Sequence, residues 1–160
     1  MRPEARVADA MARMTIELPE RFDFSAELAV RVGDINYGGH LGNDALLSLL
    51  QEARLQFLRQ HGFSEADAGG AGLIMTDAQV EYRAQAFRGD RLRIEVAAAE
   101  PSRCGLALCY RATRLGDGAE IARARTGMVF FDYARQKIAR MPEAFRAKVM
   151  DPACPQAGGE

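Results

Sequence analysis

Apolar and polar residues alternate through SAELAVRVGD: Leu28, Val30 and Val32 stand between Glu27, Ala29 and Arg31, the period of a half-buried strand. The period then changes. DALLSLLQEARLQFLRQHG carries helical spacing from Asp44 to a stop at Gly62, and Leu46, Leu49, Leu50, Ala53 and Phe57 fall on one face. Leu47, Leu55 and Leu58 lie well round the cylinder. The apolar arc is therefore wider than the ~100° stripe of a surface helix, and it predicts a helix wrapped on most sides by other elements. Asn43 and Asp44 are suited to cap its start. Beyond the glycine-rich ADAGGAGL the chain reads as strands: LIMTDAQVEYRA, RLRIEVAAAE, CGLALCYRATR and EIARARTGMVFFDY. Gly89-Asp90 and Gly116-Asp117-Gly118 supply turns between them, and Pro101-Ser102 breaks the third strand from the fourth.

One long helix followed by a run of strands argues for an α+β fold with a mainly antiparallel sheet that curls round the helix. Residues 1–22 read as a leader, a weak amphipathic helix ended by Pro19; residues 23–141 form the domain, and 142–160 a C-terminal tail whose end, PACPQAGGE, is small and polar. The chain's 160 residues are one domain's worth, and 48% apolar with 27% charged is the balance of an ordinary globule. Twenty-one basic against 22 acidic residues give a net charge of −1, with no basic field for nucleic acid or anionic lipid. No apolar run approaches the ~18 residues of a membrane span, and the start lacks the apolar core of a secretory signal. With three cysteines, Cys104, Cys109 and Cys154, the chain reads as a cytoplasmic protein with reduced thiols. His40 and His61 are too far apart in sequence for a paired zinc motif, so no metal is expected. His61 suits the C-terminal end of the helix.

The polar residues concentrate between the first strand and the helix: Asp34, Asn36, Tyr37, His40 and Asn43, threaded with Gly38, Gly39 and Gly42. A serine-nucleophile elbow, a zinc-protease helix and phosphate-binding glycine loops are all missing. A glycine-rich loop leading into a helix can instead bring a carbonyl to the unpaired N–H groups of the first turn, where the macrodipole adds about half a positive charge. A His and an Asn there can hold water or polarise the carbonyl, and Glu52 or Asp34 can act as base or nucleophile. Each also has a plainer role: turn formation for Asn36, capping for Asn43, bonds to its own loop for Asp34, packing for His40 and a solvated charge for Glu52.

The stretch RVGDINYGGHLGNDALLSLLQEAR, Arg31 to Arg54, resembles the signature of the hotdog-fold thioesterases, in the branch of the 4-hydroxybenzoyl-coenzyme A thioesterases and related acyl-coenzyme A thioesterases. Their pattern is a strand, a D-x-D-x-x-G-H-V-N-N loop and a helix containing E-A-R. It is met here by Asp34, Gly39, His40, Leu41, Asn43 and Glu52-Ala53-Arg54, with Asn36 for the second acid and Gly42 for an asparagine. The resemblance implies a long central helix wrapped by a five-stranded antiparallel sheet, and homodimers or homotetramers built edge to edge. It also implies acyl-coenzyme A or acyl-carrier-protein substrates, and neither bound cofactor nor metal. The helix-start N–H maps to Asn43. An amide at 36 cannot be a base; the combination with a histidine and a helix glutamate resembles the acyl-carrier-protein thioesterases. It implies His40 positioning water or polarising the thioester, Asn36 orienting, and Glu52 of the same or the neighbouring subunit as base, with Asp34 in reserve.

Two other functions share these residues. (R)-specific enoyl-coenzyme A hydratases carry a similar G-D-x-N-P-x-H; here Gly33-Asp34-Ile35-Asn36 lacks the proline, and His40 comes one residue late. An acyl-coenzyme A-binding module without catalysis would also tolerate Asn36.

Overall fold

The computed structural model describes residues 14–151. The chain runs through β1 (Phe24–Ala29), a 3-10 turn (Val32–Asp34), α1 (Asn43–Gln60), β2 (Gly72–Tyr82), β3 (Arg91–Ala99), β4 (Gly105–Arg114), β5 (Glu120–Asp132) and β6 (Lys137–Ile138). It ends in α2 (Glu143–Phe145), which continues as a π-helical turn over Arg146–Met150. The main strands pair antiparallel in the order β1-β3-β4-β5-β2, an unclosed sheet wrapped round α1. This is the hotdog arrangement. The two-residue β6 pairs with the end of β5 through Phe131 and Asp132, beyond the point where β4 begins at Gly105 opposite Val129. So short a strand leaves no periodicity to read.

The buried face of α1 sets one small residue among large apolar ones. Ala53 is fully buried, and Leu46, Leu50 and Phe57 beside it reach Leu92, Ile94, Leu108 and Phe130 of the sheet within one core cluster. Burying a leucine or phenylalanine of this kind stabilises the fold by roughly 1.5–3 kcal/mol. Leu58 is also buried, but Leu55 is half-buried and Leu47 is 38% exposed, so one chain covers a narrower arc than the sequence implies. Leu47 and Met75 of β2 line one small hollow of ≈ 110 Å³.

The first strand is shorter than its alternation predicts. Val30 is buried, but Val32 is 73% exposed, because the Asp34 carboxylate accepts the Arg31 N–H at 2.8 Å and closes a 3-10 turn that takes Val32 out of the strand. The helix stops where expected, with Gly62 at φ +81 and the His61 Nδ1–H donated to the Phe57 carbonyl at 2.9 Å.

Residues outside the expected domain limits also touch the core. Ile16, in the stretch read as a leader, is 4% exposed; its N–H meets Glu81 at 3.0 Å and its carbonyl meets Arg123 at 3.3 Å. Phe145 and Val149, in the stretch read as a tail, join the core, with the Phe145 ring 5.0 Å from Phe130. The helix expected before Pro19 falls mainly on residues 1–13, and Cys154 with PACPQAGGE on 152–160; both lie outside the described residues.

Candidate active site

The loop from β1 to α1 folds on itself before the helix begins. Asn36 N–H donates to the His40 carbonyl at 2.8 Å and Gly39 N–H to the Asn36 carbonyl at 3.0 Å, so residues 36–40 make a tight reversal with Ile35 and Leu41 bridged across it. Gly39 takes φ +84, a conformation glycine reaches without steric cost. The Asn36 side-chain oxygen accepts the Gly38 N–H at 3.0 Å, and its NH2 has no partner among the described residues. A Cβ placed on Gly38 would lie 3.1 Å from His40 Nε2 and 3.3 Å from Asn36 Oδ1. The imidazole and the amide therefore stand on the same side of the reversal.

Two further bonds fix the base of the loop: Gly42 N–H to the Asp34 carbonyl at 2.9 Å and Leu41 N–H to the Ala86 carbonyl at 2.8 Å. Asp34 itself is buried and bonded within its own loop. Its carboxylate takes the Arg31 guanidinium at 3.2 and 3.3 Å as well as the Arg31 N–H. Those bonds outweigh burial and hold it below the usual carboxylate range. The plainer reading of Asp34, a residue that ties its own loop, is the one seen.

Gly42, rather than Asn43 or Asp44, is the N-cap of α1, and no side chain caps the helix. Asn43 is the first helical residue, and its N–H has no partner within the helix. Its carbonyl accepts the Tyr82 hydroxyl at 2.8 Å, a link from the end of β2 that the sequence did not single out. Burial and, after it, the nearby Asp44 carboxylate push the Tyr82 hydroxyl up. A cleft of ≈ 240 Å³ opens here, lined by His40, Leu41 and Asn43 on one side and Tyr82 to Gln85 on the other.

Glu52-Ala53-Arg54 divides three ways. Glu52 is exposed, accepts Gln56 Nε2 at 2.8 Å, and lines a different cleft of ≈ 360 Å³ with Leu28, Arg31 and Ser48. His40 and Glu52 therefore face separate clefts of one chain. Ala53 packs in the core. Arg54 is 6% exposed; it donates Nε to Glu65 at 2.6 Å and Nη1 to the Tyr110 hydroxyl at 3.4 Å, and Tyr110 meets Thr126 at 3.0 Å. Burial draws the guanidinium down, but Tyr110 and Glu65 together hold it above its ordinary value. This chain of polar groups ties α1 to β4 through Tyr110 and, through Thr126, to β5.

Among the described residues no group of three or more His, Cys, Asp or Glu side chains is gathered to hold a metal. Cys104 and Cys109 are free thiols, and burial pushes Cys109 up. No helix is long and apolar enough to cross a membrane.

Comparison with solved structures places this architecture among known ones. A 1,4-dihydroxy-2-naphthoyl-CoA thioesterase from Synechocystis is 23% identical, with a TM-score of 0.74 over 82% of this chain and 98% of that one. A putative thioesterase from Pseudomonas aeruginosa is 21% identical, with a TM-score of 0.72 over 79% and 98%. A hypothetical protein from Staphylococcus aureus, solved in complex with CoA, is 15% identical, with a TM-score of 0.74 over 91% and 94%. At these identities the likeness is one of fold. No curated protein matches the chain. The model of the thioesterase-like superfamily matches residues 30–149, from the end of β1 through the buried Val149, and the chain belongs to that superfamily.

Proposed function

We propose that this protein hydrolyses the thioester of an acyl-coenzyme A, or of an acyl group on carrier protein, to the free acid and thiol. The observation that carries the reading is the cleft at the opening of α1, where Asn43, whose N–H has no partner among the described residues, and His40 share one wall in a member of the thioesterase-like superfamily. A thioester oxygen seated on the Asn43 N–H gains negative charge as water adds, and donors aimed at such an oxygen are worth about 3 kcal/mol each. His40 holds the attacking water, and the NH2 of Asn36 orients it. Of the two carboxylates expected from the sequence, Asp34 is held by Arg31, and Glu52 reaches this cleft only if a neighbouring subunit brings it. The unpaired outer edges of β1 and β2 are the places for such a neighbour, in a dimer or a pair of dimers. The relative solved with CoA and the relative named as a naphthoyl-CoA thioesterase support coenzyme A as carrier.

Thiol release measured with short, long and aromatic acyl-coenzyme A substrates tests this reading. Turnover with at least one class is the expected result. Asn36 in place of a loop acid favours one other reading, a binding protein without catalysis; saturable binding of acyl-coenzyme A with no thiol from any substrate would establish it. Loss of the enoyl absorbance of crotonyl-coenzyme A without free thiol would instead identify a hydratase.

A further inference from the structure

The loop reversal, the N-cap and the first helical turn meet at Gly42. Its φ of −67 and ψ of 148 are open to any residue, so backbone conformation does not require glycine there. Space does. A Cβ on residue 42 would lie 2.7 Å from Asp44 Oδ1 and 3.4 Å from the Asn36 Cβ. The Asp44 carboxylate thus lies over Gly42, the residue whose peptide link carries the Asn43 N–H, and it is near enough to Tyr82, which lines the cleft, to push that hydroxyl up. The chain carries two departures from the family loop, Asn36 for an acid and Gly42 for an asparagine, and this arrangement joins them in one place. An acid is absent from position 36, and the missing side chain at 42 admits an acid from position 44.

We propose that Asp44 is the catalytic carboxylate of this protein, supplying from the first turn of α1 the base that position 36 lacks. The inference rests on the thioester hydrolysis proposed above. In the step it describes, Asp44 takes a proton from water as the water oxygen bonds to the thioester carbon. The resulting oxyanion is held by the Asn43 N–H. When it collapses, the carbon–sulfur bond breaks, the sulfur leaves with the electron pair, and the proton on Asp44 returns to it as thiol. Carboxylic acid and thiol are the products, and no other reactant is consumed.

An acid in a first helical turn also favours the helix through the macrodipole. A cycle of variants separates that role from catalysis. D44N is expected to lower kcat at least 100-fold with KM changed less than threefold, the range for loss of a general base. Adding N36D to D44N is expected to restore at least tenfold, because it returns a carboxylate on the other side of Gly42, whereas N36D alone, which removes the amide that orients the water, is expected to lower the wild-type rate. A merely structural Asp44 would show a lower melting temperature in D44N and no rescue by N36D. D44N turning over at the wild-type rate, or N36D raising both backgrounds equally, would overturn the assignment, as would loss of activity in E52Q with D44N active. Absence of thiol release from the wild-type chain overturns the hydrolase reading and this one together; release by wild type that persists in D44N overturns this one alone.

Discussion

Gly42→Ala is a one-methyl perturbation whose effects on stability and on rate separate. At φ −67 and ψ 148 an alanine meets no backbone strain, and its other neighbours, Asn36 Cβ at 3.4 Å and the Asp34 carbonyl at 3.6 Å, stay at ordinary contact. Alanine is a poorer N-cap than glycine, which costs about 1 kcal/mol. That is a fall of about 2–4 °C in melting temperature for a chain of this size. The collision is with Asp44 Oδ1 alone, which must retreat from 2.7 Å to at least 3.4 Å from the new methyl. Misplacing a reacting group by ~1 Å costs about 100-fold in rate, so a retreat of this size is expected to lower kcat by about 10-fold to 100-fold. Thermal unfolding and steady-state thiol release on the same preparation measure both. A G42A protein that keeps wild-type kcat while melting a few degrees lower would show that the space over residue 42 serves the helix cap and not the chemistry.

Arg54→Met, which keeps an unbranched apolar stem but none of the donors, leaves Glu65 without its cation, while the Tyr110 hydroxyl keeps Thr126. Breaking a buried pair costs about 3–5 kcal/mol, and because Glu65 still reaches water the low end is expected, read as a shift of the urea midpoint. Tyr82→Phe removes the hydroxyl from the Asn43 carbonyl and is expected to cost about 1 kcal/mol of stability, with a rate loss of a few fold. His40→Ala is expected to lower kcat far more than it changes KM, because water is positioned without substrate contact; equal changes in the two would contradict that role. Asp34 binds its proton less readily folded than unfolded, so its share of stability is present above the ordinary carboxylate pKa of about 4 and is lost as pH falls through the lower folded value. Melting temperature followed from about pH 7 to pH 3 is expected to fall less steeply in D34N than in wild type.

Much of this molecule can be read from its residues. The shift from alternating Leu28 and Val30 to helically spaced Leu46, Leu49, Ala53 and Phe57, and back to four strands, is enough for the sheet, its helix and the polar loop between them. Val32 misleads because its alternation continues while a local carboxylate, Asp34, closes a turn; side-chain bonds within three residues override the pattern. Phe145 and Val149 lie beyond the last strand in segments too short to show a period, and only the finished core shows that they belong to it. Around the candidate site, the nearness of Asn43 and His40 was legible because glycines and polar groups crowd one loop. The separation of Glu52 from His40 was not, since it depends on which face of α1 the sheet covers. Nor was the space over Gly42, because a missing side chain shows what it leaves room for only beside the Asp44 atom that lies there.

In the proposed reaction the amide opening α1 receives the carbonyl of a thioester. A crystal structure of the protein with an acyl-coenzyme A analogue in which a methylene replaces the sulfur would locate that carbonyl. The ketone oxygen should lie within hydrogen-bond distance of the Asn43 N–H, with His40 and the Asp44 carboxylate around the carbon it belongs to. An analogue bound with its carbonyl remote from Asn43, in whatever assembly the subunits form, would contradict the account.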